Sequence, residues 1–191
     1  MSLCTTTYAK RADDLSGLNT QHLQDLLDAA TALIENYCDR TFASTEYTAT
    51  QDGTGTQLIY AANPEIISFT QVIVESPDGT TETYAATNFR YDAKSGAIKI
   101  QDDASLCIFP EGFKNIQIDY TGGFATIPAA VQQACLQVAR ALYAQTGGGM
   151  NAAMTKERMG EHNYERVSAD QDPLTSGVRA LLEQYVRLQV I

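Results

Sequence analysis

The sequence predicts an α+β protein: a three-helix core of N-terminal, middle and C-terminal helices, with an antiparallel β-rich insert between the first two. Three observations predict it. Apolar residues recur at three- and four-residue steps in three separate stretches. Alternating runs punctuated by turn residues fill the span between the first two stretches. The chain has 191 residues, 44% hydrophobic and 19% charged, enough to bury a core and too apolar for a disordered segment. An amphipathic helix cannot bury its stripe alone, so the three helices are expected to pack together. The whole chain, 1–191, then reads as one domain. Its helical core covers 20–42, 126–149 and 173–190, its β insert 44–121, and a flexible loop 150–172.

Residues 1–19 are mostly polar and read as an arm with a short turn near Ala12–Leu15. Then Leu23, Leu26, Leu27, Ala30, Leu33, Ile34 and Tyr37 fall on one face of a helix. Asn19 or Thr20 caps it, because a short side-chain oxygen accepts from a backbone N–H left free in the first turn. From residue 44 the signal is β. Tyr47 lies in a Thr-rich alternating run, and Asp52-Gly53-Thr54-Gly55 is a turn. Gln57–Tyr60 is a short strand broken by Asn63-Pro64. Ile67, Phe69, Val72 and Val74 belong to a longer run with a bulge or change of face between the two pairs. Ser76-Pro77-Asp78-Gly79 is a hairpin turn leading into Thr80–Tyr84. Phe89–Tyr91, Ser95-Gly96 and Ala97–Ile100 suggest a second hairpin, and Ile116, Ile118 and Tyr120 mark the last strand.

Gly122-Gly123 ends the β region, and Ile127-Pro128 opens the middle helix, since proline is tolerated at a first helical position. Val131, Ala134, Cys135, Val138, Ala139, Leu142 and Tyr143 line its apolar face, and Gly147-Gly148-Gly149 stops it. Residues 150–172 are polar with no clear period, which reads as a long loop. Pro173 or Thr175 starts the last helix. Val178, Leu181, Leu182, Tyr185 and Val186 share its face, and it is expected to run nearly to the C-terminus.

The formal charge is −10, with 13 Lys and Arg against 23 Asp and Glu. Nucleic-acid affinity comes mainly from Lys and Arg displacing counterions from phosphates, so this chain is a poor clamp for DNA. Its field would instead repel DNA, which reads either as an ordinary solvated surface or as the wall of a conduit through which DNA slides. Cys4, Cys38, Cys107 and Cys135 form no CxxC pair, which argues against a zinc ribbon or a thioredoxin-type site. Cys38 and Cys135 sit on apolar helical faces, and all four read as reduced thiols in a cytoplasmic setting. No apolar run reaches transmembrane length, and Met1-Ser2-Leu3 does not begin a signal peptide.

The search for chemistry returns no catalytic residue, no cofactor and no metal. His22 and His162 stand without a second histidine at ligand spacing and read as surface residues. Asp52–Thr56 is glycine-rich but lacks the Gly-Lys-Ser/Thr of a phosphate loop and precedes a strand. Asp102, Asp103 and Glu111 fit no calcium-loop spacing and read as solvated carboxylates. The polar loop is more informative. It mixes Lys156, Arg158 and Arg166 with Glu157, Glu161 and Glu165 around Met154, Met159, Gly160 and Tyr164. Mixed charge with flexible methionine and an aromatic suits a segment that orders on a partner, and equally a plain mobile surface loop.

Three stretches occur in a characteristic order: Leu33-Ile34-Glu35-Asn36-Tyr37-Cys38-Asp39-Arg40-Thr41-Phe42 at a helix end, Ile118-Asp119-Tyr120-Thr121-Gly122-Gly123-Phe124 before Ile127-Pro128, and Arg158-Met159-Gly160-Glu161-His162-Asn163-Tyr164 in the polar loop. Over about residues 20–190 this order resembles the phage head–tail connector, or adaptor, family, from whose nearly all-helical members the chain departs by its β insert. The resemblance implies a non-enzymatic virion assembly protein, made in the host bacterial cytoplasm and incorporated in the virion. It implies a ring of copies, dodecameric to match the portal protein, with a tail or stopper protein as the other partner. DNA would be only a passing channel occupant, and no membrane is involved. It also implies that the loop and the last helix reach toward portal, tail or the next subunit. The interface residues expected on that basis are Met154, Arg158, Met159, Gly160 and Tyr164, then Tyr185, Arg187 and Leu188. A tail-completion or terminator protein and a small-ligand-binding α+β domain are the alternative readings.

Overall fold

The computed structural model describes residues 2–76, 78–101, 106–146, 156–159, 162–165 and 172–187. It is α+β, with antiparallel sheets and several helices. The chain divides into two compact units: one formed by Met1–Arg40 with Ile127–Ile191, the other by Thr41–Thr126.

In the first unit, α1 (Thr6–Ala9) and α2 (Asp13–Ser16) occupy the segment expected to be a polar arm. The difference has a cause in the side chains: Leu3, Cys4, Ala9 and Leu15 are buried, so this segment is part of the core. α3 (Thr20–Cys38) begins where expected, with Asn19 Oδ1 accepting from the N–H groups of Gln21 at 2.7 Å and His22 at 3.3 Å. It ends at Cys38 because Asp39 turns left-handed at φ 49° and the Arg40 N–H closes onto the Glu35 carbonyl. Its buried face is Leu23, Leu26, Leu27, Ala30, Thr31, Ile34 and Cys38. Thr31 is the unexpected member. Its hydroxyl donates to Leu27 O at 2.7 Å and accepts the Leu3 N–H at 3.0 Å, so a buried polar group is satisfied and the N-terminal segment is held down. Leu33 and Tyr37, expected on the core stripe, are half-buried.

α4 (Ala129–Gln145) buries Val131, Ala134, Cys135, Val138 and Ala139 against α3. Pro128 stands one position before the first helical residue, where its carbonyl accepts from Val131 and Gln132. α5 (Ser176–Leu182) packs on α4, capped by Thr175, whose hydroxyl accepts the Val178 N–H at 3.4 Å. It is shorter than expected: a 3-10 turn over Glu183–Tyr185 follows, and Val186 is already extended. The Arg187 N–H then donates to the carbonyl of Cys38, at the C-terminal end of α3, at 3.0 Å, a bond a continuing helix would not make.

The second unit holds β1 (Thr45–Gly53), β2 (Leu58–Tyr60), β3 (Ile66–Glu75), β4 (Thr81–Ala85), β5 (Phe89–Tyr91), β6 (Ala97–Ile100) and β7 (Gly112–Gly122). They form a four-stranded sheet, β1-β7-β3-β4, and a three-stranded sheet, β2-β6-β5, all antiparallel. Both expected hairpins are present, as β3–β4 and β5–β6. The expected irregularity in the long strand falls between Ile66 and Ser68 and between Phe69 and Gln71, where β3 slips against β7. The slip keeps Phe69, Val72 and Val74 facing the same core. That core contains Ile59, Ile98, Phe109, Ile116, Ile118 and Tyr120, with the Phe89 and Phe109 rings stacked at 6.0 Å.

Asn63 does more than break a strand. It is buried, its Nδ2 donates to Thr41 O at 3.2 Å, its Oδ1 accepts the Thr41 N–H at 3.3 Å, and its own N–H donates to the Tyr120 hydroxyl at 2.8 Å. Gly123 closes the unit at φ +102°, and a Cβ there would stand 2.3 Å from Ala43 O, so only glycine fits.

Residues 150–172, read from sequence as a flexible loop, contain two strands that belong to the first unit. β8 (Lys156–Met159) pairs antiparallel with β9 (His162–Glu165). Strand alternation of apolar and polar residues is missing here, so periodicity could not reveal it. The register nevertheless sets Lys156 opposite Glu165, a pairing of opposite charges favourable across strands.

Candidate interaction surfaces

Groups with chemical potential are distributed rather than gathered. His22 meets the Tyr143 ring edge-on at 6.1 Å, while His162 lies in β9 opposite Met159. Gly55, at φ +70°, donates its N–H to Phe109 O at 2.9 Å, so the glycine-rich segment is a turn between β1 and β2. Asp102 and Asp103 lie outside the described residues, and Glu111 is exposed. Among the described residues, no three His, Cys, Asp or Glu side chains are grouped to hold a metal ion. Likewise no helix among them is long and apolar enough to cross a membrane.

All four cysteines are free thiols, with Cys4, Cys38 and Cys135 buried and Cys107 exposed. Burial pushes Cys4 and Cys38 up to about 11 and Cys135 to about 12. These three thiols therefore stay protonated at neutral pH and act as small apolar side chains.

The residues expected at interfaces fall in two places. Arg158 pairs with Asn163, Met159 with His162, and Tyr164 with Glu157, so all three belong to the β8–β9 hairpin. Met154, Gly160 and Leu188 lie outside the described residues. Tyr185 is half-buried in the 3-10 turn, and Arg187 is exposed directly after it.

The surface that sequence reasoning missed lies on the second unit. Leu58, Tyr60, Ile67, Tyr91, Ile108 and Phe113 are exposed there, Phe113 at 81%. A signal existed. In Leu58-Ile59-Tyr60 only alternate residues can face the core, so burial of Ile59 turns two large apolar neighbours outward. This unit is also the more acidic. Residues 41–126 carry 4 Lys and Arg against 11 Asp and Glu, the rest of the chain 9 against 12. Exposed apolar side chains beside an excess of acid have the make-up of a protein-contact surface.

Comparison with known proteins agrees with that character. The model of the head completion protein family matches residues 5–147. No curated protein matches the chain. Among solved structures, a chain from the neck of a native gene transfer agent particle, computed with C12 symmetry, is 20% identical with a TM-score of 0.60. That match covers 97% of this chain and 92% of the other. A chain from the neck of an empty particle, computed with C6 symmetry, is 18% identical with a TM-score of 0.60, covering 92% and 82%. One from the virion of a native gene transfer agent particle is 20% identical with a TM-score of 0.56, covering 92% and 81%. These likenesses show a shared fold across nearly the whole chain, and the family match spans three quarters of it. The chain belongs to the head completion protein family, whose members are structural proteins of the virion, and its role is the structural one of a head–tail connector.

Proposed function

We propose that this chain is a head–tail connector subunit that forms a ring under the portal protein and joins the DNA-filled head to the tail or to a stopper protein. It acts by binding, not catalysis. It assembles in the host bacterial cytoplasm and ends in the virion, as a dodecamer matching the portal. The observation that carries this reading is the family match over residues 5–147. The C6 and C12 symmetry of the neck structures it resembles supports a closed ring. In this reading α3, α4 and α5 are a three-helix core, and the β-rich unit is an insert between the first two of them.

The β8–β9 hairpin and the segment after α5 are the proposed contacts to portal, tail or neighbour: Met154, Arg158, Met159, Gly160 and Tyr164, with Tyr185, Arg187 and Leu188 behind them. The charge of −10 supports DNA as a passing occupant, because an acidic wall repels phosphate. Co-sedimentation of the purified chain with its cognate portal, together with its mass by light scattering, tests the reading. Saturable binding in a ring-like ratio is expected. A folded chain that leaves the portal bare would overturn it.

A further inference from the structure

The outer face of the three-stranded sheet carries charge without an ion-pair partner among the described residues, beside exposed apolar side chains. Register sets Leu58 opposite Lys99 and Lys99 opposite Arg90, so these residues form one row across β2, β6 and β5. Ile59, Ile98 and Ile100 are buried on the inner face, which turns that row outward. Leu58 is 38% exposed and Tyr60, one pleat along, 51%. Two like charges directly opposite destabilise a sheet. Arg90 and Lys99 have no ion-pair partner among the described residues. Arg90, Lys94 and Lys99 are three of only four basic residues in the 41–126 unit, all on β5, β6 and their connecting turn, where Asp92 beside Lys94 is the one acid. Leu58 and Tyr60 also line an open groove with Gln51, Asp52, Thr54 and Thr56, Asp52 being its one acidic member.

A second surface has the complementary make-up. Phe113, at the start of β7, rims a groove with the exposed carboxylates Glu75 and Glu111, and Asp78 stands on the adjoining β3–β4 turn. Lys114 lies 5.4 Å over the Phe113 ring, so acid outweighs base around it three to one. The two surfaces belong to the same unit and adjoin where Asp52 of the first groove accepts the Lys114 N–H at 2.7 Å and Glu111 stands against Gly55.

From this complementarity we infer that the two surfaces bind each other between copies of the chain: Phe113, Glu75 and Glu111 of one copy on Leu58, Tyr60, Arg90 and Lys99 of the next. The inference rests on the ring reading above and names its contact. Because the two patches differ, the contact is heterologous and repeats head to tail, the geometry from which rings are built. DNA is a poor occupant of the basic row, since the surrounding unit carries an excess of acid that repels phosphate.

Sedimentation of the full chain over a concentration series tests it. The wild-type chain should self-associate, and more weakly in about 0.5 M salt, because screening shortens the reach of exposed charges. Arg90→Glu with Lys99→Glu should weaken association by roughly 100-fold, and Glu75→Lys with Glu111→Lys by a similar factor, since like charges then meet. Combining all four substitutions in one chain exchanges the signs and should restore association. Phe113→Ala should weaken it about tenfold. All these positions are exposed, and unchanged circular dichroism and Tm would show that the variants fold. Association that survives charge reversal, or is not restored by the exchange, would overturn this contact while leaving the ring reading intact. A wild-type chain monomeric at its highest soluble concentration would also overturn it, the ring reading then being decided by portal co-sedimentation. So would loss of portal binding without loss of self-association in Arg90→Glu/Lys99→Glu, which would assign the basic row to the portal.

Discussion

Asn63→Ala should be among the most damaging single changes in the 41–126 unit. The side chain is 6% exposed and clamps Thr41 from both sides, donating to its carbonyl at 3.2 Å and accepting its N–H at 3.3 Å. Alanine removes both bonds and leaves two partly buried backbone groups without these partners. A lost hydrogen bond is worth about 1 kcal/mol net, and an unsatisfied buried group about 1–3 kcal/mol, so the substitution should cost roughly 2–4 kcal/mol. That is a large share of the 5–15 kcal/mol typical of a domain. In a chain of this size the corresponding fall in Tm is about 5–15 °C. Urea unfolding followed by near-ultraviolet tyrosine circular dichroism would measure it, since Tyr47 and Tyr120 stack at 5.2 Å in this unit. The midpoint should fall with an unchanged slope. Tyr120→Phe provides a second reading, because it removes the acceptor of the buried Asn63 N–H and should cost about 1–3 kcal/mol. A loss below about 0.5 kcal/mol for Asn63→Ala would refute the clamp, as that is the range of an ordinary surface substitution.

Other expectations follow from single sites. Leu27→Ala, at a fully buried position on α3, should cost about 2–5 kcal/mol in chemical denaturation. Asn19→Ala removes the acceptor for two first-turn N–H groups and should cost about 1 kcal/mol by the same assay. Gly123→Ala should prevent stable folding of the β unit, read as lost tyrosine dichroism, because φ +102° and a carbonyl 2.3 Å from the new Cβ are both prohibitive. Of the four thiols, Cys107 alone should react rapidly with a thiol reagent near pH 8, and all four after denaturation. Burial raises Cys4, Cys38 and Cys135 from 9.0 to about 11–12 in the folded state, so the unfolded chain releases these protons first. Their contribution to stability is full below pH 9 and is lost as pH rises toward 11–12, which denaturation at stepped pH would record.

Local periodicity carried most of the fold. The α3 stripe from Leu23 to Ile34, the Asn19 cap and the β3–β4 and β5–β6 hairpins depend on residues close in sequence, so the pattern alone was sufficient. What escaped depends on distant partners. The first 19 residues look polar because Leu3, Cys4, Ala9 and Leu15 are few, yet each is buried in the helical unit. α5 was expected to continue because Tyr185 and Val186 keep the helical spacing. It stops where the Arg187 N–H finds Cys38 O, a bond across most of the chain that no local pattern encodes. The β8–β9 hairpin escaped for another reason: its sequence has no apolar–polar alternation, and only the cross-strand register pairs position 156 with 165.

The candidate contact surface illustrates why interfaces are harder to read than cores. Burial of Ile59, Ile98 and Ile100 is announced by their alternation, and the same alternation fixes that Leu58, Tyr60 and Lys99 point away. Sequence therefore contained their direction but not their adjacency. Leu58 and Lys99 are neighbours only because β2 pairs with β6, and Arg90 joins them only because β5 pairs on the other side. Once the register is known, the row sets Arg90 against Lys99, a repulsion that neighbouring strands ordinarily avoid. An acidic partner removes the repulsion and covers the exposed leucine and tyrosine together. A second copy of a chain with 11 acidic residues in this very unit supplies such a partner at the lowest cost in new components.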